Sequence, residues 1–338
     1  MKASGSHLLS SGGSTPPVAL ISAAMLEPFT KAFVARGGDK KALMSRVGLR
    51  ESDFEAEFLP AKRLWEYIEC ASEALGDRHF GYVIGSNTPA PSLPNLSVLE
   101  PTEITLGERL SKLVIDARRL TNQAVYSLSH DAVSATLKQR RRFRPYRAPT
   151  QSDGFFAGFI LRLMRDCVGP RFDGSQILIR LSDLKAIPNS ALPRSSLITS
   201  GSHGVTFRFP SEWLLLGDEG RHNQNHPVAS VNEFDFLPVL RREIKARVSS
   251  PHLKLADLSN IFSFSDRSLQ KALAARGTSF RRELDLVREE RAKDMLSSSD
   301  LPISKIARAV GFTAATSFTR SFQKWTGLTP TEYRLPTE

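Results

Sequence analysis

A short apolar pattern occurs twice close to the C-terminal end of this chain. Leu255, Leu258 and Phe264 recur forty-eight positions on as Ile303, Ile306 and Phe312, and Leu269 with Leu273 recurs forty-nine positions on as Phe318 with Phe322. Each copy reads as a short apolar helix, a turn of about four residues and a second helix with an apolar i, i+4 face. That is the pattern of a helix-turn-helix, in which the first helix braces the second so that its polar face enters the DNA major groove. The stretch Ser279–Ser297 between the copies carries Phe280, Leu284, Val287 and Met295 on one side and predicts a connecting helix. An 18-residue helix is about 27 Å long, close to the roughly 34 Å of one duplex turn. Two recognition helices so spaced can enter successive major-groove segments on one face of DNA. The pattern predicts an all-helical DNA-binding domain over 251–338, made of two such units joined by a long helix.

The polar faces of the two second helices supply the candidate contacts. In the first they carry Arg267, Gln270 and Lys271; in the second, Thr316, Thr319 and Arg320, with Lys324 better placed for phosphate than for bases. Arg or Lys pairs with guanine and Gln pairs bidentately with adenine, whereas phosphate contacts position the protein without reading sequence. A solvated helix face is the plainer alternative for each of these residues. Leu269, Leu273, Phe318, Phe322 and Trp325 belong to the core.

The text ISKIARAVGFTAATSFTRSFQKWTGLTPTEYR (303–334) resembles the signature of the AraC/XylS family of bacterial transcription regulators, including Ala307, Gly311, Phe312, Phe318, Arg320, Phe322, Gly327, Pro330, Tyr333 and Arg334. Arg288, Arg291, Ala292 and Leu296 match the family's connecting-helix text, so the resemblance covers about 251–334. The first copy departs from it: Ser259 stands where the family has a small Ala, and Ser263 where it has the turn Gly. The resemblance implies a transcription regulator, most often an activator, that works as a homodimer and with RNA polymerase.

The 338 residues leave room for a larger front domain. Helical spacing runs from Glu27 to Gly76, again at Leu106–Ala117 after a Pro-rich connection at 89–101, and again over 151–168. Ala124–Leu128 and Ala132–Leu137 alternate about a turn at Ser129, His130 and Asp131 and predict a hairpin; Ile177–Leu181 and Val205–Phe209 alternate as further strands. These patterns predict an α+β regulatory domain over 18–215, a linker with a helix over 216–250, and a Ser/Gly/Pro-rich disordered tail at 1–17. The ending LPRSSLITSGSHGVTFRFPSEWL (192–214) and the position before the helix-turn-helix pair resemble the arabinose-binding-type regulatory domain of one branch of the same family, which implies effector binding or dimerisation.

The chain has a net charge of +11, but residues 251–338 hold 14 Lys and Arg against 10 Asp and Glu, so most of the excess lies earlier. Part of it is gathered in KQRRRFRPYR (138–147), six basic residues in ten. Clustered guanidinium groups grip phosphate bidentately and stack on flat bases, so Arg140, Arg144 and Arg147 are candidates for an anionic or nucleotide effector or for DNA phosphate; a solvated charge run is the plainer reading. QRRRFR (139–144) is also similar to the arginine arm of PilZ domains, which implies cyclic di-GMP held by Arg140 and Arg144. The second PilZ element is lacking, since Leu178 stands where its Gly belongs after Asp173-Gly174-Ser175.

Other classes find little support. No HExxH, GxSxG, GxxxxGK or Rossmann glycine pattern occurs, so an enzyme is not expected. His222 and His226 beside Asp218 and Glu219 lack a third strong ligand for a metal. Trp65, Tyr67 and Trp213 read as core rather than as a ligand cage. Cys70 and Cys167 read as two reduced thiols, and no apolar run is long enough for a membrane span, which places the chain in the cytoplasm. An architectural DNA binder without an effector remains the alternative to a regulator.

Overall fold

A turn-forming aspartate organises the central hairpin of the front half. The structure, a computed structural model, describes residues 18–88, 105–142, 145, 147–201, 203–217, 237–262 and 265–334. They divide into two compact units, one of Val18–Glu243 with Asp257–Ser263, the other of 244–256 with 265–334. The tail at 1–17, the Pro-rich connection and the histidines at 222 and 226 lie outside the described residues.

In chain order the first unit holds β1 (Leu20–Ser22), α1 (Leu26–Ala35), α2 (Lys40–Val47), α3 (Glu51–Phe54), β2 (Phe58–Pro60), α4 (Ala61–Leu75), α5 (Phe80–Asn87), α6 (Leu106–Leu120), β3 (Ala124–His130), β4 (Ser134–Arg141), α7 (Thr150–Val168), β5 (Leu178–Leu181), β6 (Leu197–Thr199) and β7 (Thr206–Pro210). The sheet order is β3-β4-β7-β5-β6, antiparallel except for the parallel β5–β6 pair, and β1 and β2 form a separate two-stranded ladder.

The hairpin turn sits two residues later than the alternation predicts. Ser129 and His130 stay in β3, opposite Thr136 and Ala135. Asp131 closes the turn instead, its Oδ1 accepting the backbone N–H groups of Val133 and Ser134, both at 2.8 Å. A side-chain carboxylate that offers the backbone such an alternative outweighs a simple count of alternating residues. Local caps likewise start the helices: Asp39 accepts from the amides of Lys41 and Ala42 at α2, and Thr105 with Glu108 makes a reciprocal capping box at α6.

α7 is the centre of the unit. Its Phe156 meets Phe207 of β7 edge-on at 5.8 Å and Tyr126 of β3 at 5.7 Å, and its Phe155 lies 4.9 Å from Phe29 of α1. α5, which the spacing did not single out, packs against α7 at backbone distance, because Gly81 and Gly85 on one helix and Gly158 on the other each present bare backbone to the facing carbonyls. Trp65, Tyr67 and Trp213 are buried, as expected of core residues.

α8 (Leu237–Arg247) begins in the first unit and ends in the second. Within the first unit its Glu243 pairs with Arg63 at 3.5 Å, and its Arg242 lies 3.2 Å from Asp53. α9 (Leu255–Ile261) follows, with Leu258 and Ser259 buried.

The second unit is wholly helical from there: α10 (Asp266–Ala274), α11 (Phe280–Ser298), α12 (Ile303–Ala309), α13 (Ala315–Thr326) and α14 (Pro330–Arg334). α11 is the connecting helix, capped by Ser279, whose hydroxyl accepts from the amide of Arg282 at 3.3 Å. Its Ala292 and Leu296 join Ile306, Ala307 and Val310 of the α12 segment and Phe318 and Phe322 of α13 in one buried cluster, with Trp325 and Tyr333 packed at its edge.

Candidate nucleic-acid interface

α13 separates its residues by chemistry. Phe318 and Phe322, one turn apart, are fully buried with ring centroids 5.6 Å from each other. The opposite face carries Thr316, Arg320 and Lys324 at i, i+4, i+8, all exposed. Burying the aromatic pair therefore fixes the rotation of the helix and turns that polar row outward. Thr319 is half-buried and its hydroxyl donates to the carbonyl of Ala315 at 3.0 Å, so it stands at the border of the face. Ser317 and Gln323, passed over in the sequence, are exposed beside the row; Gln323 lies at i+3 from Arg320, a spacing that would have found it.

The turn before α13 is held from several sides. α12 ends at Val310, and Gly311 follows with φ of +81°, a left-handed conformation that glycine adopts without strain. The amide of Phe312 donates back to Ala307 at 2.9 Å. Arg288 of α11 donates to the carbonyl of Gly311 at 3.2 Å and stacks 4.8 Å over the Phe312 ring. Arg288, carried in the sequence only by resemblance, is thus the residue that ties the connecting helix to the turn.

α10 repeats the division. Leu269, Ala272 and Leu273 are buried, while Arg267, Gln270 and Lys271 are exposed. None of Arg267, Gln270, Lys271, Arg320 and Lys324 makes a hydrogen bond or ion pair among the described residues. Both helices belong to one unit, bracketing the 19-residue α11, which at 1.5 Å per residue is about 28 Å long. Lys305 and Arg308, exposed on α12, add basic groups that the spacing did not single out. Ser263 and Phe264 of the first turn lie outside the described residues.

The arginine run of the front unit is split by strand alternation. Arg140 points out from β4 and is exposed, and so is Arg147. Arg141 faces inward, where it pairs with the buried Asp153 of α7, whose other oxygen accepts from the Ser182 hydroxyl at 2.8 Å. Arg144 lies outside the described residues. Among the described residues no group of three or more His, Cys, Asp or Glu side chains is placed to hold a metal, and no helix is long and apolar enough to cross a membrane.

Comparison with known proteins bears on the same segment. Residues 258–335 match the family model described as a helix-turn-helix domain. The ornithine utilization regulator of Pseudomonas aeruginosa is 41% identical over 70 residues, 21% of this chain and 21% of that protein. The HTH-type transcriptional regulator VqsM of the same organism is 31% identical over 80 residues, 24% of this chain and 25% of that one. The matched part spans about a fifth to a quarter of these relatives' length. Among solved structures, the transcriptional regulator CdpR of P. aeruginosa aligns over 92% of this chain and 98% of its own, with 18% identity and a TM-score of 0.39. Residues 258–335 of this chain are accordingly a helix-turn-helix domain.

Proposed function

We propose that the whole chain is a sequence-specific, DNA-binding transcription regulator whose front unit modulates how the C-terminal domain engages its operator. The observation that carries this reading is the outward row Thr316, Arg320 and Lys324 on a helix anchored by two fully buried phenylalanines, inside the segment that matches a helix-turn-helix family. Arg320 reads guanine, Gln270 reads adenine, Arg267, Lys271, Thr316 and Thr319 complete the two faces, and Lys324 grips phosphate. The net charge of only +4 over 251–338 favours base reading over bulk attraction to phosphate. By resemblance the regulator acts as a homodimeric activator that works with RNA polymerase.

The exposed guanidinium groups of Arg140 and Arg147 support an anionic effector at the end of β4, with cyclic di-GMP as the nucleotide to try first. A ligand that binds one arrangement of the protein better than another shifts its population and hence its affinity for DNA.

Fluorescence anisotropy of the full chain on its own upstream DNA and on a scrambled duplex, at matched salt, tests the reading. Tight binding to the first, with a loss of roughly 5- to 150-fold for Arg320→Ala or Gln270→Ala, supports it, since one base contact is worth about 1–3 kcal/mol. Equal affinity for both duplexes would make the chain an architectural binder instead. Adding cyclic di-GMP to the wild type and to Arg140→Ala/Arg144→Ala tests the anionic effector in the same assay.

A further inference from the structure

The front unit holds a cavity of about 70 Å³ between α1, α4, α6, α7 and the β3–β4 hairpin. Its walls are apolar and aromatic, with Phe29, Phe155 and Phe156 among them, and no residue that lines it is charged. Thr121, Tyr126, Ser152 and two glutamines break this apolar surface. Gln139, on β4, and Gln123, just before β3, are both more than nine-tenths buried, and the side-chain oxygen of each lacks a hydrogen-bond partner in the structure. Gln139 is held in place from its other end, its Nε2 donating to the Tyr126 hydroxyl at 3.0 Å. Thr121, beside Gln123, has its own hydroxyl committed to the carbonyl of Leu20 at 2.7 Å. Leaving a buried polar atom unsatisfied is costly, and two residues that each carry such an atom and line one cavity mark a place where a donor belongs.

We propose that this cavity is a ligand site, separate from the arginine run, that takes a small uncharged molecule with an apolar body and two hydrogen-bond donors for Gln123 and Gln139. The absence of charge along the walls disfavours an ion, because desolvating a charge without a partner is prohibitive. One water needs about 10–15 Å³ of such space, so the cavity suits a molecule of about five to seven non-hydrogen atoms. Short diols and primary amides present two donors from a body of that size. The regulatory consequence of occupancy rests on the proposed function, whereas binding itself does not.

The test uses the full chain with three probes of equal size: propane-1,2-diol, propionamide and methyl acetate, which has no donor. Saturation-transfer NMR at millimolar probe, the range that ligands this small reach, is expected to show binding of the first two and none of the third. Gln123→Met/Gln139→Met keeps the bulk of the side chains and removes both acceptors; it is expected to weaken the diol and the amide by about tenfold or more. Ala117→Leu fills the cavity from α6 while leaving both glutamines in the sequence and is expected to abolish binding of the diol and the amide, so the pair of variants keeps the test decisive should one fail to fold. Failure of the diol and the amide to bind wild type, binding of all three probes alike, or binding that survives in whichever variant folds would overturn the proposal, with ordered water then satisfying the two oxygens. The DNA anisotropy assay is read separately: loss of specific DNA binding with intact probe binding would overturn the proposed function alone, and the reverse would overturn only the cavity.

Discussion

Two glycines with nearly the same backbone angle give a direct test of how the second helix-turn-helix is built. Gly311 has φ of +81° and Gly327, which ends α13, has φ of +82°. Alanine at either position takes on the left-handed conformation, at about 1–2 kcal/mol. Only at 311 does the added methyl meet neighbours: the carbonyl oxygen of Val248 inside contact distance, the Arg288 guanidinium at 3.0 Å and the carbonyl oxygen of Ser250 at 3.1 Å. At 327 nothing lies within 4 Å. Forcing a methyl into packed backbone adds about 1–3 kcal/mol, so Gly311→Ala is expected to cost about 2–5 kcal/mol and Gly327→Ala about 1–2. Urea unfolding followed by circular dichroism gives the two losses, and hydrogen exchange of the α12 and α13 amides shows whether the opening is local. Equal losses, or a larger loss at 327, would refute the claim that the turn is pressed against the backbone at 248–250.

Phe318→Ala removes a fully buried ring from the cluster behind the polar row and should cost about 3–5 kcal/mol, with loss of DNA binding read in the same preparation. Arg141→Ala strands the buried Asp153 and should cost about 3–5 kcal/mol, whereas Arg140→Ala one residue away should stay within about 0.5 kcal/mol; thermal melts distinguish them. Burial, ahead of the nearby carboxylates of Asp153, Glu73 and Asp183, pushes Glu69 up to about 7 despite the amide of Gln151 that it accepts. The native state therefore holds a proton that the unfolded chain releases from the ordinary value of 4.5 upward, so this group lowers stability as pH rises toward 7 and most of all above it. Glu69→Gln should match wild type near pH 4.5 in chemical denaturation and exceed it above pH 7; a constant difference across that range would contradict the assignment.

The C-terminal domain was legible because its signal is redundant. The same apolar positions occur twice, and the burial of Leu269, Leu273, Phe318 and Phe322 follows from i, i+4 spacing alone. The polar row on α13 then follows by exclusion, although Gln323 and Ser317 were passed over because they fall between the residues with the most obvious base-reading chemistry. The front unit was legible in its long elements and not in its short ones. β1, β2 and β6 have three residues each, too few for a period, and α5 is built on glycines whose value lies in close approach to α7 rather than in apolar spacing. The turn at Asp131 shows a side-chain hydrogen bond overriding alternation. The run at 138–147 looked uniform in sequence, yet alternation along β4 buries Gln139 and Arg141 on the face of Ala135 and Leu137 and leaves Arg140 outside. Polar residues in phase with an apolar strand face were the available signal for both the Arg141–Asp153 pair and the cavity.

The most direct measurement is selection of duplexes bound by the full chain from a randomised pool. The expected motif has two conserved blocks separated by about 10 base pairs, one turn of DNA, because two recognition helices bracket a helix about 28 Å long. Repeating the selection with Gln270→Ala should relax one block, and with Arg320→Ala the other. No enrichment over the starting pool, or one block blurred by both substitutions alike, would contradict the reading of α10 and α13 as two separate readers of sequence.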